Sequence, residues 1–218
     1  MVRFGRFVLA VVATAVVSLG NDVNAGVIYD NTTLASNGYV EASVDGPLFN
    51  SFSTGGTGFL LTDVKLVLAS TNVSSGKSFT VSLVANNANK PGTVLNSLAT
   101  INDSSLSVAG STIDVSVSSI ALTANTRYWI EVNGAGGSSV EWSYGVDATG
   151  TGVPGEYWAY NPGGTLTVTQ NDSTNTPFQM QVTATAVSSV PEPGTLSLAL
   201  SALGIGVLGM ARRRLVRA

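Results

Sequence analysis

Residues 178–186 read FQMQVTATA, and this stretch decides the fold. Its apolar residues occupy every second position and alternate with glutamines and threonines. A period of two is typical of a β-strand that buries one face and exposes the other. The same alternation recurs in residues 79–85 and 113–117, and residues 60–68 and 126–132 read as strands with both faces partly covered. The sequence therefore predicts an all-β domain over residues 26–187.

Turn residues separate these stretches. Gly-, Pro-, Asn- and Ser-rich segments at 74–76, 89–92, 133–137 and 161–164 interrupt the alternating runs. No helical period appears outside the two ends of the chain. Many short strands joined by such turns indicate an antiparallel β-sandwich or jelly roll.

Composition excludes several classes of function. The chain has 218 residues, no histidine and no cysteine. It therefore has no thiolate nucleophile, no Ser-His-Asp triad, no Cys/His zinc site and no disulfide. Residues 26–190 carry eleven acids against four bases, which argues against a nucleic-acid partner. We expect no enzymatic activity and no cofactor, with Ca²⁺ the one ion worth testing.

The first 25 residues have the pattern of a secretory signal peptide. Arg3 and Arg6 precede the apolar run Phe7 to Leu19, and a small-residue site ends at Ala25. This order predicts a signal helix, export through the Sec translocon and cleavage between Ala25 and Gly26. The alternative is a retained membrane anchor, for which an apolar run of 13 residues is short.

Residues 188–218 form a second targeting segment. Pro191-Glu192-Pro193 cannot continue a helix or a strand ladder. The uncharged residues 195–211 would reach about 25 Å as a helix, near the lower limit for a transmembrane span. Arg212, Arg213 and Arg214 then supply a stop-transfer signal that stays in the cytoplasm. The alternative is a plain tail anchor.

This C-terminal order resembles the bacterial PEP-CTERM sorting signal. The resemblance rests on Val190-Pro191-Glu192-Pro193-Gly194-Thr195 and on Arg212-Arg213-Arg214. It implies an inner-membrane-anchored precursor that an exosortase-like enzyme processes near the Pro-Glu-Pro. It also implies a Gram-negative host and release to the cell surface or to an exopolysaccharide matrix. The same tail is also called an ice-binding-protein C-terminal domain, which names the tail only.

The body resembles the choice-of-anchor R domain family. Tyr29-Asp30-Asn31, Pro91-Gly92-Thr93-Val94-Leu95 and residues 122–130 (LTANTRYWI) carry this resemblance. It implies a β-rich exported surface module, and that family has no established biochemical activity.

Glu131 and Glu141 are the strongest candidates for chemistry. If residues 133–139 were a hairpin loop and Val132 paired with Val140, the two glutamates would face each other. Facing carboxylates fit a glycosidase pair, a Ca²⁺ site, or two edge acids that are solvated or neutralised by Arg127.

Tyr157, Trp158 and Tyr160 form a second candidate site. They lie in a loop-like stretch between Pro154-Gly155 and Pro162-Gly163. Exposed aromatic rings at the rim of a sandwich stack on sugars, whereas the alternative is that these rings plug one end of the core. On the sugar hypothesis, Trp158→Ala abolishes polysaccharide retention without lowering thermal stability.

The leading interpretation is an exported, exosortase-processed surface or matrix protein without catalytic activity. The alternative is a cell-surface carbohydrate-binding module that uses the three aromatic residues. An enzyme would have to use Glu131 and Glu141, and its hydrolytic activity would be lost in Glu141→Gln.

Overall fold

The computed structural model describes residues 25–187, except residues 135, 148 and 172–176. Twelve β-strands and two short 3-10 turns make up the regular structure of this part. The strands are β1 Ala25–Asp30, β2 Ser36–Glu41, β3 Leu48–Ser53, β4 Phe59–Ser70, β5 Ser78–Asn87, β6 Lys90–Asn102, β7 Ser111–Leu122, β8 Arg127–Asn133, β9 Val140–Gly145, β10 Tyr157–Tyr160, β11 Thr167–Gln170 and β12 Met180–Ala186. The prediction of an antiparallel all-β domain is confirmed for the described residues.

The strands form two six-stranded antiparallel sheets. The first sheet has the order β1-β12-β4-β9-β2, and β7 also pairs with β4. The second sheet has the order β11-β10-β3-β8-β5-β6. The long strand β4 contacts three neighbours, because β12 and β7 pair along most of its length and β9 pairs with its last residues.

The main core lies between the two sheets. In β12, Met180, Val182 and Ala184 are buried, whereas the intervening Gln181 and Thr183 are only half-buried. Phe52 and Ile130 enter the same core from the second sheet. Alternate residues of β12 thus join apolar residues of the second sheet in one layer between the two sheets, as a sandwich requires.

The β5–β6 turn corrects one predicted boundary. Ala88 and Asn89 both have positive φ, 49° and 64°, and form the two-residue connection between the strands. Positive φ at both positions is the signature of a type I′ turn, whose twist matches that of the flanking strands. Pro91 and Gly92, predicted to belong to the turn, lie within β6 instead, where Pro91 pairs with Asn86.

Most of the two targeting segments lies outside the described residues. The parts that lie outside are the predicted signal helix, the Pro-Glu-Pro motif at 191–193, the predicted span 195–211 and Arg212–Arg214. Ala25 and Gly26, at the predicted cleavage site, belong to β1 and pair with Thr185 and Ala184. Within the described residues, no helix is long and apolar enough to cross a membrane.

Candidate functional site

Glu131 and Glu141 lie in different sheets, so the predicted pairing between them is wrong. Glu131 belongs to β8 and sits opposite Phe49 and Ser82. Glu141 belongs to β9 and sits opposite Glu41 and Ala69. The segment between β8 and β9 crosses from the second sheet to the first and does not form a hairpin.

The electrostatics of the two glutamates are also separate. Burial raises the pKa of Glu131, and hydrogen bonds from Ser82 and Asn133 oppose that rise. Burial and the facing carboxylate of Glu41 raise the pKa of Glu141. The facing geometry on which the glycosidase and Ca²⁺ hypotheses depended is therefore lost. The described part of the chain contains no cluster of three or more acidic side chains that could hold a metal ion.

The three aromatic residues of β10 point to opposite faces of the second sheet. Trp158 and Tyr160 pack against the main core and stack with their ring centroids 5.6 Å apart. Trp158 also meets Phe178 edge-on, with centroids 5.9 Å apart. Tyr157 faces outward with Phe49 and Trp129. The predicted loop is a strand, and its alternation prevents the three rings from forming one platform.

An ion pair next to β10 was not predicted from the sequence. Glu156 is 3 % exposed, and its Oε2 lies 2.9 Å from Nε of Arg127. The hydroxyl of Ser51 donates to the same Oε2. Nη2 of Arg127 donates to the carbonyl of Gly155 at 2.8 Å, and its guanidinium lies 4.7 Å from the ring centre of Tyr157. The pair fixes the start of β10 to β3 and β8.

One signal for this ion pair was present in the sequence. Residues 26–190 contain only four cationic side chains, and Arg127 is the single arginine among them. Such a residue inside a strand needs an acidic partner, because an unpaired buried charge is costly. The true partner is 29 residues further along, at Glu156. Spacing alone favoured the nearer acids, Glu131 and Glu141.

A cavity of about 610 Å³ opens beside this ion pair. It is lined by Tyr29, by residues 147 and 149–156 of the β9–β10 connection, and by Asn171 after β11. Asp30 and Thr151 hold the connection against β1 through two backbone hydrogen bonds of 2.8 and 3.0 Å. A Cβ at Gly150 would lie 2.7 Å from the carbonyl oxygen of Asp30, so this close approach needs glycine.

Two residues that line the cavity also carry buried polar atoms without partners among the described residues. Among the described residues, Oε1 of Glu156 and Oδ1 of Asn171 are buried and accept no hydrogen bond. Tyr29 is 7 % exposed, and its hydroxyl accepts a hydrogen bond from Asn50 at 3.2 Å. Burial and the nearby Glu156 carboxylate raise the pKa of Tyr29, so its hydroxyl stays protonated. Unpartnered buried acceptors are uncommon and call for an explanation.

A second buried carboxylate, Asp103, is by contrast saturated with donors. Ser138 Oγ donates to Oδ1 at 2.6 Å, while Ser75 Oγ and the backbone N–H of Ser139 donate to Oδ2 at 2.5 and 2.9 Å. Burial alone would raise the pKa of Asp103, but these hydrogen bonds outweigh burial and lower it. Asp103 therefore joins the loop after β6 to the β4–β5 and β8–β9 connections.

Comparison with known proteins identifies the C-terminal segment. Residues 189–214 match the PEP-CTERM protein-sorting motif. The motif marks an exosortase-targeted, exported protein. The match contains Pro191, Glu192, Pro193 and Arg212–Arg214, so it confirms that part of the sequence interpretation.

The comparisons leave the body unassigned. The chain matches no curated protein. The resemblance of the body to the choice-of-anchor R domain finds no support and stays a prediction. The function of the body must therefore be argued from its own residues.

Proposed function

We propose that the chain is a non-catalytic protein of the cell surface or extracellular matrix, anchored by its C-terminal segment in the inner membrane until an exosortase-like enzyme removes that segment. The PEP-CTERM motif at residues 189–214 is the observation that carries this proposal. The Arg-rich end holds a precursor in the inner membrane. The two prolines of Pro-Glu-Pro disfavour a continuing helix or strand ladder, and we expect such a segment to suit entry into a processing site.

The chemistry of the body supports a non-catalytic role. The chain contains no histidine or cysteine. Its buried carboxylates are held in structural contacts, since Arg127 pairs with Glu156 and three serines donate to Asp103. Glu131 and Glu141 stand in different sheets. The aromatic residues of β10 offer no joint platform for a polysaccharide, so that alternative has no support from their geometry.

The test is the intact mass and cellular fraction of the full-length protein made in its native host. We expect a mature form that begins at Gly26, ends near Pro193 and is found outside the inner membrane. Glu192→Gln should slow processing and leave the precursor in the inner membrane. Glu41→Gln is the matched control in the body and should be processed normally. A wild-type protein that keeps residues 212–217 in the inner membrane would contradict the proposal and indicate a plain tail anchor.

A further inference from the structure

We propose that Asn37 is a site of spontaneous deamidation, at which the folded protein gains a negative charge as it ages. The chain contains two Asn-Gly sequences, Asn37-Gly38 and Asn133-Gly134. Both have the chemistry to deamidate, because glycine has no side chain to shield its backbone nitrogen from the preceding Asn. The fold exposes the first and restrains the second. This inference goes beyond the surface role proposed above and does not depend on cleavage of the C-terminal segment.

The reaction takes place within the chain and uses only water. The backbone nitrogen of Gly38 attacks Cγ of Asn37, loses its proton and displaces the amide group as ammonia, which leaves a cyclic succinimide. Water then opens the ring at either carbonyl and gives an aspartate or an isoaspartate at position 37. One water is consumed and one ammonia is released. The side chain must be free to turn toward the next nitrogen, because the reacting atoms have to approach to about 3–3.5 Å.

Asn37 has this freedom. Its side chain is exposed and makes no hydrogen bond with any of the described residues. In the pairing of β2 with β9, Ser36 lies opposite Gly145, and the next paired residue of β2 is Gly38. Asn37 is therefore the extra residue of a β-bulge and has no partner in the ladder. Among the described strands, β2 pairs only with β9, so the bulge also lies at the edge of its sheet.

The fold itself requires the glycine that makes this site reactive. Gly38 has a φ of 141°, a conformation that residues with a side chain rarely adopt. A Cβ at this position would also lie 2.7 Å from the hydroxyl oxygen of Tyr144. A larger residue that would shield the backbone nitrogen therefore does not fit after Asn37.

Asn133 is restrained at each of the corresponding points. It is the last residue of β8 and pairs with Thr80 of β5. Its side chain hydrogen-bonds to the carboxylate of Glu131. Gly134 is buried, and a Cβ there would lie 2.9 Å from the backbone nitrogen of Ser43. The second Asn-Gly sequence is therefore held by strand pairing, a side-chain hydrogen bond and close packing.

The experiment incubates the full-length protein in detergent and heavy-oxygen water, and follows both sites by peptide mass mapping. Opening of the succinimide adds one solvent oxygen, so the label separates conversion during the incubation from aspartate that was already present. We expect position 37 to convert at least about ten times faster than position 133, roughly the factor that one additional hydrogen bond contributes. Conversion at position 37 that is absent, or no faster than at position 133, would overturn the proposal.

Unfolding and two matched variants test whether the fold makes the selection. In denaturant the two sites should convert at similar rates, because only their common Asn-Gly sequence remains. A difference in rate that persists unchanged in denaturant would contradict the role given to the fold. Asn37→Gln should lose the label at position 37 and keep the melting temperature of the wild type, since the replaced side chain is exposed and has no partner. Asn133→Gln should leave labelling at position 37 unchanged.

Discussion

Asp103 shows how much of this fold depends on single buried polar residues. It is fully buried, yet serines from two distant loops and a backbone N–H saturate its carboxylate. Hydrogen bonds to a charged group contribute about 1.5–3 kcal/mol each. A chain without disulfides thus ties three loops together through one side chain.

Asp103→Asn should therefore lower the free energy of unfolding by about 2–3 kcal/mol at pH 7. The hydrogen bonds lower the pKa of Asp103 in the folded state. Its contribution to stability is then present above the pKa of the unfolded chain, about 3.9, and is lost as pH falls through the folded pKa. Denaturant titrations should show the wild type and the variant converging as the solution is acidified.

Asp147→Asn provides the comparison for this prediction. Within the described residues, the carboxylate of Asp147 accepts hydrogen bonds from the N–H and the hydroxyl of Thr149, two residues further on, and links no distant loops. We expect a much smaller loss of stability from this variant. Equal losses in the two variants would mean that Asp103 has no special role as a connection between loops.

At the level of the strand, β10 shows what alternation does to a cluster of aromatic residues. Tyr157, Trp158 and Tyr160 are close in sequence, and their spacing suggested one exposed surface. A strand sends neighbours to opposite faces, so Trp158 enters the core while Tyr157 packs outside with Arg127. The cluster is therefore mainly a packing feature.

Trp158→Ala should destabilise the protein by about 3 kcal/mol, because the ring packs on Tyr160 and Phe178. Thermal and denaturant unfolding measure this loss. Trp158→Phe keeps an aromatic ring and should lose less. An alanine variant that melts like the wild type but no longer retains polysaccharide would instead restore the sugar-stacking hypothesis.

Five of the twelve described strands were predictable from the sequence, but their partners were not. Alternation located β4, β5, β7, β8 and β12, because burial of one face follows directly from the sequence. The choice of neighbour depends on contacts between residues far apart in the chain. From its sequence, the segment between β8 and β9 could either turn back as a hairpin or cross to the other sheet. In the structure it crosses, and Ser138 and Ser139 of this segment donate hydrogen bonds to Asp103. Nothing local in residues 133–139 signals that contact.

The cavity was not predicted because it, too, depends on contacts between residues far apart in the chain. Its wall combines Tyr29, the connection after β9 and Asn171, which only the folded sheets bring together. The β5–β6 turn was misplaced for a different reason, since Pro91-Gly92 is a stronger turn signal in sequence than Ala88-Asn89. Ala88 and Asn89 instead adopt the positive φ of a two-residue hairpin turn, and β5 pairs with β6 immediately beside them, at Asn87 and Lys90.

For the whole molecule, the shared core predicts a single unfolding transition. Leu66 from the first sheet and Phe52 from the second are both fully buried in the same cluster. Leu66→Ala and Phe52→Ala should each lower stability by about 3–4 kcal/mol and shift that same transition. Far-ultraviolet circular dichroism and tryptophan fluorescence should give coincident unfolding curves.

Leu95→Ala is the control for this prediction. Leu95 lies in β6 and is 47 % exposed, so its loss should change stability by less than about 0.5 kcal/mol. Two separate transitions, or a Phe52→Ala effect seen by one probe only, would mean that the sheets unfold independently.

The pairing of β1 with β12 has a mechanical consequence for the exported protein. Ala25 lies opposite Thr185 and Gly26 lies opposite Ala184, so the start of β1 and the end of β12 meet at one corner of the body. In a form that begins at Gly26, the new N-terminus therefore lies at the same corner from which the chain continues toward the sorting motif. An attachment made through the C-terminal segment would hold the domain at that corner.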